Sequence, residues 1–261
     1  MSAPDPDGPV LILGGTGEAR ALAARLVEAG VPTLSSLAGR VQQPRLPVGE
    51  VRIGGFGGVD GLADWIVAHR VRAIVDATHP FAATITRNAA SAAERTARPL
   101  LRLRRPAWTP GPGDRWDRVA DMADAAAAVR ARTAANPRVF VTTGRQDVGV
   151  FADIDDAWFL IRVVDPPTGA LPAHHRVLRS RGPHDLESER TILRDNGIDI
   201  LVTKNSGGDL THAKLVAAAE LEVAVIMVDR SVEPVVGDAV STVDEALAWL
   251  AGSQPSWWRG V

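Results

Sequence analysis

The chain has 261 residues, enough for one large domain or two modest ones, and at 46% hydrophobic and 23% charged it has the make-up of an ordinary globular protein. Its net charge of −2 gives no reason to expect nucleic acid or an anionic membrane as a partner, and the absence of cysteine excludes disulfides, thiolate metal sites and a cysteine nucleophile. Tyrosine is also absent, and of the 29 basic residues only Lys204 and Lys214 are lysines. Met1–Gly8 has neither the basic nor the apolar part of a signal peptide, and no apolar run approaches the roughly 18 residues of a membrane span, so the expected compartment is the cytoplasm.

Short apolar runs alternate with helical patterns along the chain. Val10–Leu13 reads as a buried strand, Gly14-Gly15-Thr16-Gly17 as a tight turn, and Glu18 to Glu28 as a helix with Ala21, Leu22 and Leu26 on its apolar face, stopped at Gly30. Thr33–Leu37, Val51–Ile53, Ala73–Asp76 and Leu100–Leu103 are the next predicted strands, with helices over 62–69 and 82–95 between them. From Arg104 to Arg115 three prolines and two glycines interrupt the periodicity and read as a linker. The pattern then restarts: a helix over 122–132, strands at Val139–Val141 and Trp158–Val163, a helix over 186–196, strand Ile200–Val202, a helix over 211–219, strand Val223–Val228 and a helix over 243–250. Strands separated by helices predict parallel sheets. The expected fold is α/β: two Rossmann-like parallel-sheet domains, 1–103 and 116–261, with a cleft between them.

The first turn is a candidate phosphate cradle, because glycines let backbone approach a pyrophosphate and the start of a helix attracts its charge. It is an imperfect one: the third glycine position is Arg20, and Glu18 in the first turn would repel phosphate unless it only complements the helix dipole. The second strand is more telling. Where an NAD site offers a carboxylate to the ribose, this chain has Ser35-Ser36-Leu37-Ala38-Gly39-Arg40. An arginine in that place suits a 2′-phosphate, so the expected cofactor is NADPH, held by Arg40 and a hydroxyl of Ser35 or Ser36.

In the second half, Thr143-Gly144-Arg145 and Lys204-Asn205-Ser206-Gly207-Gly208 each follow a strand at its carboxyl end, where open α/β sheets bind ligands. Lysine, amide, hydroxyl and two glycines suit an anion- or amide-binding loop, whereas Lys214 fits a solvated helix face. Several residues admit two readings. His79 donates a proton or simply turns the chain before Pro80; Asp147 orients substrate or caps a helix; Arg102, Arg104 and Arg105 hold carboxylates or are only solvated. His69 and His212 read as structural, and Trp249, Trp257 and Trp258 as packing or tail residues.

Two reductase classes compare poorly. Short-chain dehydrogenases move their proton through a tyrosine and lysine pair, and this chain has no tyrosine. Dihydrodipicolinate-type reductases share something with Asp76-Ala77-Thr78-His79-Pro80 and with His174-His175, but no lysine closely follows the histidine pair and the Gly-Thr substrate motif is missing there. The set that fits the whole chain is Gly14–Arg20, Ala38-Gly39-Arg40, Asp76–Ala82, Arg102–Trp108, Thr142–Arg145, Arg181-Gly182-Pro183, Thr203–Gly208 and Val225–Arg230. In that order it resembles the precorrin-6A reductase family of cobalamin biosynthesis. Two positions depart from the family pattern: Ser231 stands where proline is expected, and His184 where an aromatic residue is common.

The resemblance implies reduction of the precorrin-6A macrocycle to precorrin-6B by NADPH, with hydride to carbon 19, a proton at carbon 18, and no metal or flavin. It implies cofactor contacts at Gly15, Thr16, Gly17, Glu18, Ser36, Arg40, Thr78, Thr143, Gly144 and Arg145. Lys204, Ser206, His79 and Asp147 are the expected catalytic positions, and Arg104, Lys204, Asn205, Ser206 and Gly207 the expected contacts to a tetrapyrrole rich in carboxylate arms. The alternatives are an NADPH reductase of a smaller unsaturated acid and a non-enzymatic nucleotide sensor. The oligomeric state is left open, a monomer included.

Overall fold

The structure, a computed structural model, describes residues 7–39, 44–132, 136–231 and 237–252. They form two compact units, one of residues 7–105 and 237–252, the other Pro106–Ser231.

The first unit runs β1 (Val10–Leu13), α1 (Gly17–Glu28), β2 (Thr33–Leu37), β3 (Glu50–Ile53), α2 (Gly58–Ala68), β4 (Ala73–Asp76), α3 (Ala83–Thr96) and β5 (Leu100–Leu103). The second runs β6 (Trp116–Val119), α4 (Met122–Arg130), β7 (Arg138–Val141), β8 (Trp158–Val163), β9 (His175–Arg179), α5 (Leu186–Asp195), β10 (Ile200–Lys204), α6 (Ala213–Glu220) and β11 (Ala224–Val228). The chain then returns to the first unit as β12 (Asp238–Val240) and α7 (Val243–Gly252).

Both sheets are parallel throughout. The first has the order β12-β5-β4-β1-β2-β3 and the second β6-β11-β10-β7-β8-β9. With β1 and β7 each taken as a first strand, both sheets have the doubly wound order 3-2-1-4-5-6. The central strands are covered on both faces, which is why Val10–Leu13 and Ala73–Asp76 are buried at every position. In the first unit one face packs Ile12, Val75 and Leu101 against Leu22 and Leu26 of α1 and Leu250 of α7. The other packs Leu11, Leu34 and Ile74 against Leu62 and Ile66 of α2 and Ala89 of α3. In the second unit Phe140, Leu160, Leu201 and Met227 pack against Leu193 of α5 and Leu215 of α6. Side-chain caps start the helices where the sequence turns polar: Thr16 accepts from Ala19 N, Asp121 from Ala123 N and Asp124 N, and Asp185 from Ser188 N.

The sixth strands are exchanged. β5 is followed in the chain by β6, which occupies the sixth place of the second sheet, and β11 is followed by β12, which occupies the sixth place of the first. This corrects the expected second domain of 116–261. The stretch 237–252 belongs to the first unit, because β12 bonds along β5 and the apolar face of α7 closes over α1. Among the described residues no helix is long and apolar enough to cross a membrane.

Candidate functional site

In a doubly wound sheet the ligand crevice opens where neighbouring strands send their crossovers to opposite sides. In the first unit that place is the carboxyl end of β1 and β4. The turn Gly14–Gly17 leaves β1 there, with Gly15 at φ +116° and nothing within 4 Å of where its Cβ would stand. This glycine is needed for its backbone angle, and the space beside it is open to a ligand. The Thr16 hydroxyl donates to Ala77 O at 2.8 Å and accepts from Ala19 N at 3.1 Å, so it ties the turn to the end of β4 while capping α1. Its side chain is therefore a structural pin, and what Thr16 and Gly17 have left for an anion is backbone.

Glu18 does not stand as a bare negative charge at the helix start. Its carboxylate pairs with Arg105 at 2.8 Å, both side chains largely buried, which relieves the repulsion a phosphate would meet. Beyond β4, Asp76 is 4% exposed and organises its loop. One carboxylate oxygen accepts from Thr78 N at 3.1 Å and from Thr78 Oγ1 at 2.6 Å, the other from Thr86 Oγ1 at 2.7 Å, and Arg102 Nε lies 3.8 Å away. Thr78 is thus held in place by Asp76. His79 is exposed, its Nδ1 accepting from Phe81 N at 3.3 Å, which is the turn-forming reading of that residue.

Beside the glycine turn a small cavity is lined by Gly14, Gly15, Arg20, Ser35, Leu37 and Arg45, among others. Ser35, not Ser36, faces it, as expected of neighbours on a strand, whose side chains point to opposite faces. Ser36 is buried, and its carbonyl accepts from Gly14 N at 2.9 Å. Arg40 lies outside the described residues, as do Trp257 and Trp258.

The second unit has the equivalent crevice at the carboxyl ends of β7 and β10. Thr142 N and Oγ1 donate to Val202 O at 3.0 and 3.2 Å and join the two strand ends. Gly144 follows at φ +92°; Thr143 is 8% exposed, and its buried hydroxyl has no hydrogen-bond partner among the described residues. Arg145 reaches to 4.0 Å from buried Asp165, two residues past β8. Lys204 Nζ and Asp147 Oδ2 are 2.5 Å apart, so two expected catalytic residues form one ion pair. No long helix follows this turn. A four-residue 3-10 helix, Val148–Phe151, stands there, so the α1-type cradle for a pyrophosphate is not repeated.

The loop after β10 is built around the chain 106–108. Asn205, 2% exposed, accepts from Trp108 N at 2.8 Å and donates to Trp108 O at 3.0 Å, while Trp108 Nε1 donates to Gly208 O at 3.0 Å. Arg230 adds bonds to Asn205 O at 2.8 Å and Ser206 O at 2.9 Å. A Cβ on Gly207 would stand 2.0 Å from Pro106 O, so glycine here is a packing requirement. Asn205 and Gly207 thus have a structural task in this loop, whose other members, half-buried Ser206 and the Lys204–Asp147 pair, stand beside the crevice. Arg104 extends the first sheet, its N donating to Val240 O at 2.8 Å, and its side chain lines a shallow groove with Ser241 and Glu245.

Sequence reasoning also passed over several residues. Lys214 is buried, its Nζ donating to Thr211 O at 2.9 Å and lying 5.0 Å from the Trp108 ring, so it is not on a solvated face. Arg162 and Glu189 form a buried ion pair at 2.7 Å, and His184 stands near both, its pKa pushed below the ordinary histidine value by burial first and by Arg162 next. The signal available for this cluster was an arginine inside an apolar strand, Trp158–Val163. The pair His174-His175 borders the edge strand β9, with His175 Nδ1 2.6 Å from Pro172 O, an arrangement that serves a turn.

Comparison with known proteins agrees with this arrangement over nearly the full length. The family model described as Precorrin-6x reductase CbiJ/CobK matches residues 9–251. A precorrin-6A reductase of Rhodococcus erythropolis is 56% identical over 242 residues, covering 92% of this chain and 96% of its own. A cobalt-precorrin-6A reductase of Priestia megaterium is 30% identical, covering 95% of this chain and all of its own. Among solved structures, a CobK precorrin-6A reductase superposes with a TM-score of 0.88 at 38% identity, covering 95% of this chain and 99% of that one. The chain, with its two doubly wound units and its paired strand-end loops, belongs to the precorrin-6x reductase CbiJ/CobK family.

Proposed function

We propose that the chain catalyses the NADPH-dependent reduction of precorrin-6A to precorrin-6B. Family membership and relatives that carry the name precorrin-6A reductase support the reaction class. The observation that carries the cofactor half is the β1–α1 turn. Gly15 leaves open space, the first-turn amides of α1 lack partners within the helix, and Glu18 is neutralised by Arg105. A dinucleotide pyrophosphate fits there on charge and on room.

When bound, the nicotinamide supplies a hydride to carbon 19 of the macrocycle, and with a proton added at carbon 18 the two-electron reduction balances, leaving NADP+. The residues of the chain bind and orient. Arg145, the Thr143 hydroxyl and the Lys204–Asp147 pair offer the second unit's crevice hydrogen-bond donors for the acetate and propionate arms. Asp147 holds the Lys204 ammonium in place. Among the described residues we assign no dedicated acid: His79 is exposed and its Nδ1 accepts from Phe81 N, so water delivers the proton.

The test is turnover of precorrin-6A with NADPH labelled by deuterium at carbon 4 of the nicotinamide, in ordinary and in heavy water. Loss of nicotinamide absorbance together with a shift of the tetrapyrrole bands is expected. Label at carbon 19 should come only from the cofactor and at carbon 18 only from solvent. Failure of precorrin-6A to oxidise NADPH, or solvent deuterium at carbon 19, defeats the proposal.

A further inference from the structure

We infer that Arg20 and Arg45, with the Ser35 hydroxyl, form the clamp for the 2′-phosphate of the cofactor and set its preference for NADPH over NADH; this rests on the dinucleotide reading of the β1–α1 turn. Three observations meet at one place. The cavity beside the glycine turn is lined by Gly14, Gly15, Ser35 and Leu37 and by two guanidinium-bearing residues, Arg20 and Arg45, with no aspartate or glutamate among its walls. Recognition of a free ribose diol calls for a carboxylate there, and a phosphate calls for the opposite charge.

The second observation is the state of those arginines. Several other arginines of the first unit are matched: Arg25 with Asp244, Arg95 with Asp60, Arg102 with Asp76 and Arg105 with Glu18. Arg52 donates to the carbonyls of Gly54 and Gly55. Arg20 and Arg45 have no ion pair or hydrogen bond with any described residue. Two like charges beside one cavity repel each other until an anion joins them, and a phosphate monoester presents acceptor oxygens that suit two donor forks.

The third is Ser35. Its hydroxyl is buried, with the residue 2% exposed, and has no partner among the described residues. A buried hydroxyl left unbonded costs stability, so a serine on the cavity wall is better explained by a ligand oxygen than by packing. Strand alternation keeps Ser35 on this wall while Ser36 turns away.

The experiment is calorimetric binding of NADPH, NADH and 2′,5′-ADP to the full chain and to Arg20→Ala, Arg45→Ala and Ser35→Ala. In the wild-type chain NADPH should bind more tightly than NADH, and each arginine variant should shrink the NADH-to-NADPH ratio of Kd values by about 10-fold or more. Because the ratio is read, a general loss of folded protein does not mimic the effect. Ser35→Ala should weaken NADPH and 2′,5′-ADP with its Tm unchanged or raised, since it removes an unbonded buried hydroxyl; a structural serine would lower Tm and leave the ratio alone. A wild-type chain without preference defeats both this inference and the NADPH reading. A wild-type preference that survives in both arginine variants within about twofold defeats the clamp alone.

Discussion

Two glycines at strand ends show how one residue type serves opposite needs. At Gly15 nothing occupies the place of a Cβ, so the residue keeps a crevice open. At Gly207 the carbonyl of Pro106 already fills that place, so the residue lets backbone meet backbone. A sequence prints the same letter for both. His184 is a residue whose environment also makes a prediction. Burial and the Arg162 guanidinium push its pKa down, Lys214 adds to this, and Glu189 and Asp185 pull the other way without prevailing. A histidine whose pKa is lower folded than unfolded takes up protons on unfolding. The chain therefore loses stability as pH falls below the ordinary histidine value of about 6.5. His184→Phe, which puts a ring that does not titrate in the same place, should flatten the fall in Tm between about pH 7.5 and 5.5. Parallel Tm-against-pH curves for the two proteins would show that His184 does not carry this sensitivity.

At the scale of elements, α7 is held by a reciprocal cap. Glu245 accepts from Ser241 N at 2.8 Å and Thr242 N at 3.0 Å, while Thr242 Oγ1 accepts from Glu245 N at 3.2 Å. The backbone N–H of Ser241, then that of Thr242, hold the Glu245 carboxyl below its ordinary pKa. Its contribution is full above the unfolded value of about 4.3 and is lost as pH falls through the lower folded value. Amide exchange in the first turn of α7, corrected for intrinsic rates, should accelerate below about pH 4.3, and Glu245→Gln should remove that acceleration. A Gln variant with an unchanged acid profile would transfer the effect to another group. What the sequence made legible follows from the same local physics. Val10–Leu13, residues 73–75 of β4 and residues 158–161 of β8 lie between neighbouring strands and read as continuous apolar runs. The three strands that pattern alone did not reveal, Trp116–Val119, His175–Arg179 and Asp238–Val240, all lie at sheet edges. Bonded on one side only and half exposed, they carry aspartate, histidine and arginine where central strands carry valine and leucine. The site was partly legible for a related reason. The strand-end loops were visible as glycine-rich breaks after apolar runs. That Asn205 grips Trp108, that Asp147 meets Lys204 and that Arg45 lies beside Ser35 depend on chain returns that spacing does not encode.

On the scale of the whole chain, the exchange of sixth strands makes each unit dependent on a segment that follows the other unit's fifth strand. In the first unit that segment is β12 and α7. Leu250 and Ala246 are buried against the face that holds Leu22 and Leu26, and Trp249 Nε1 donates to Asp238 Oδ2 at 2.6 Å, fastening helix to strand. Gly237 sits at the point of entry with φ +77°, its would-be Cβ 2.5 Å from Leu100 O, so the returning chain meets β5 backbone to backbone. Removing residues 237–261 should strip β5 of its outer partner, leaving it bonded to β4 alone, and uncover α1. Burial of one leucine is worth about 1.5–3 kcal/mol, and tenfold in an equilibrium constant is about 1.4 kcal/mol. Loss of Leu250 alone should thus lower the amide protection of α1 and β5 by roughly tenfold or more. The truncated chain tests the segment as a whole and Leu250→Ala tests its anchor, each followed by hydrogen exchange resolved along the chain. Protection should fall over residues 17–28 and 100–103 in both, while β7, β8 and β10, whose sheet keeps all six strands, retain theirs. If α1 and β5 exchange as slowly without the returning segment as with it, the first unit completes its core from residues 7–105 alone, and the exchange is a matter of connectivity without energetic weight.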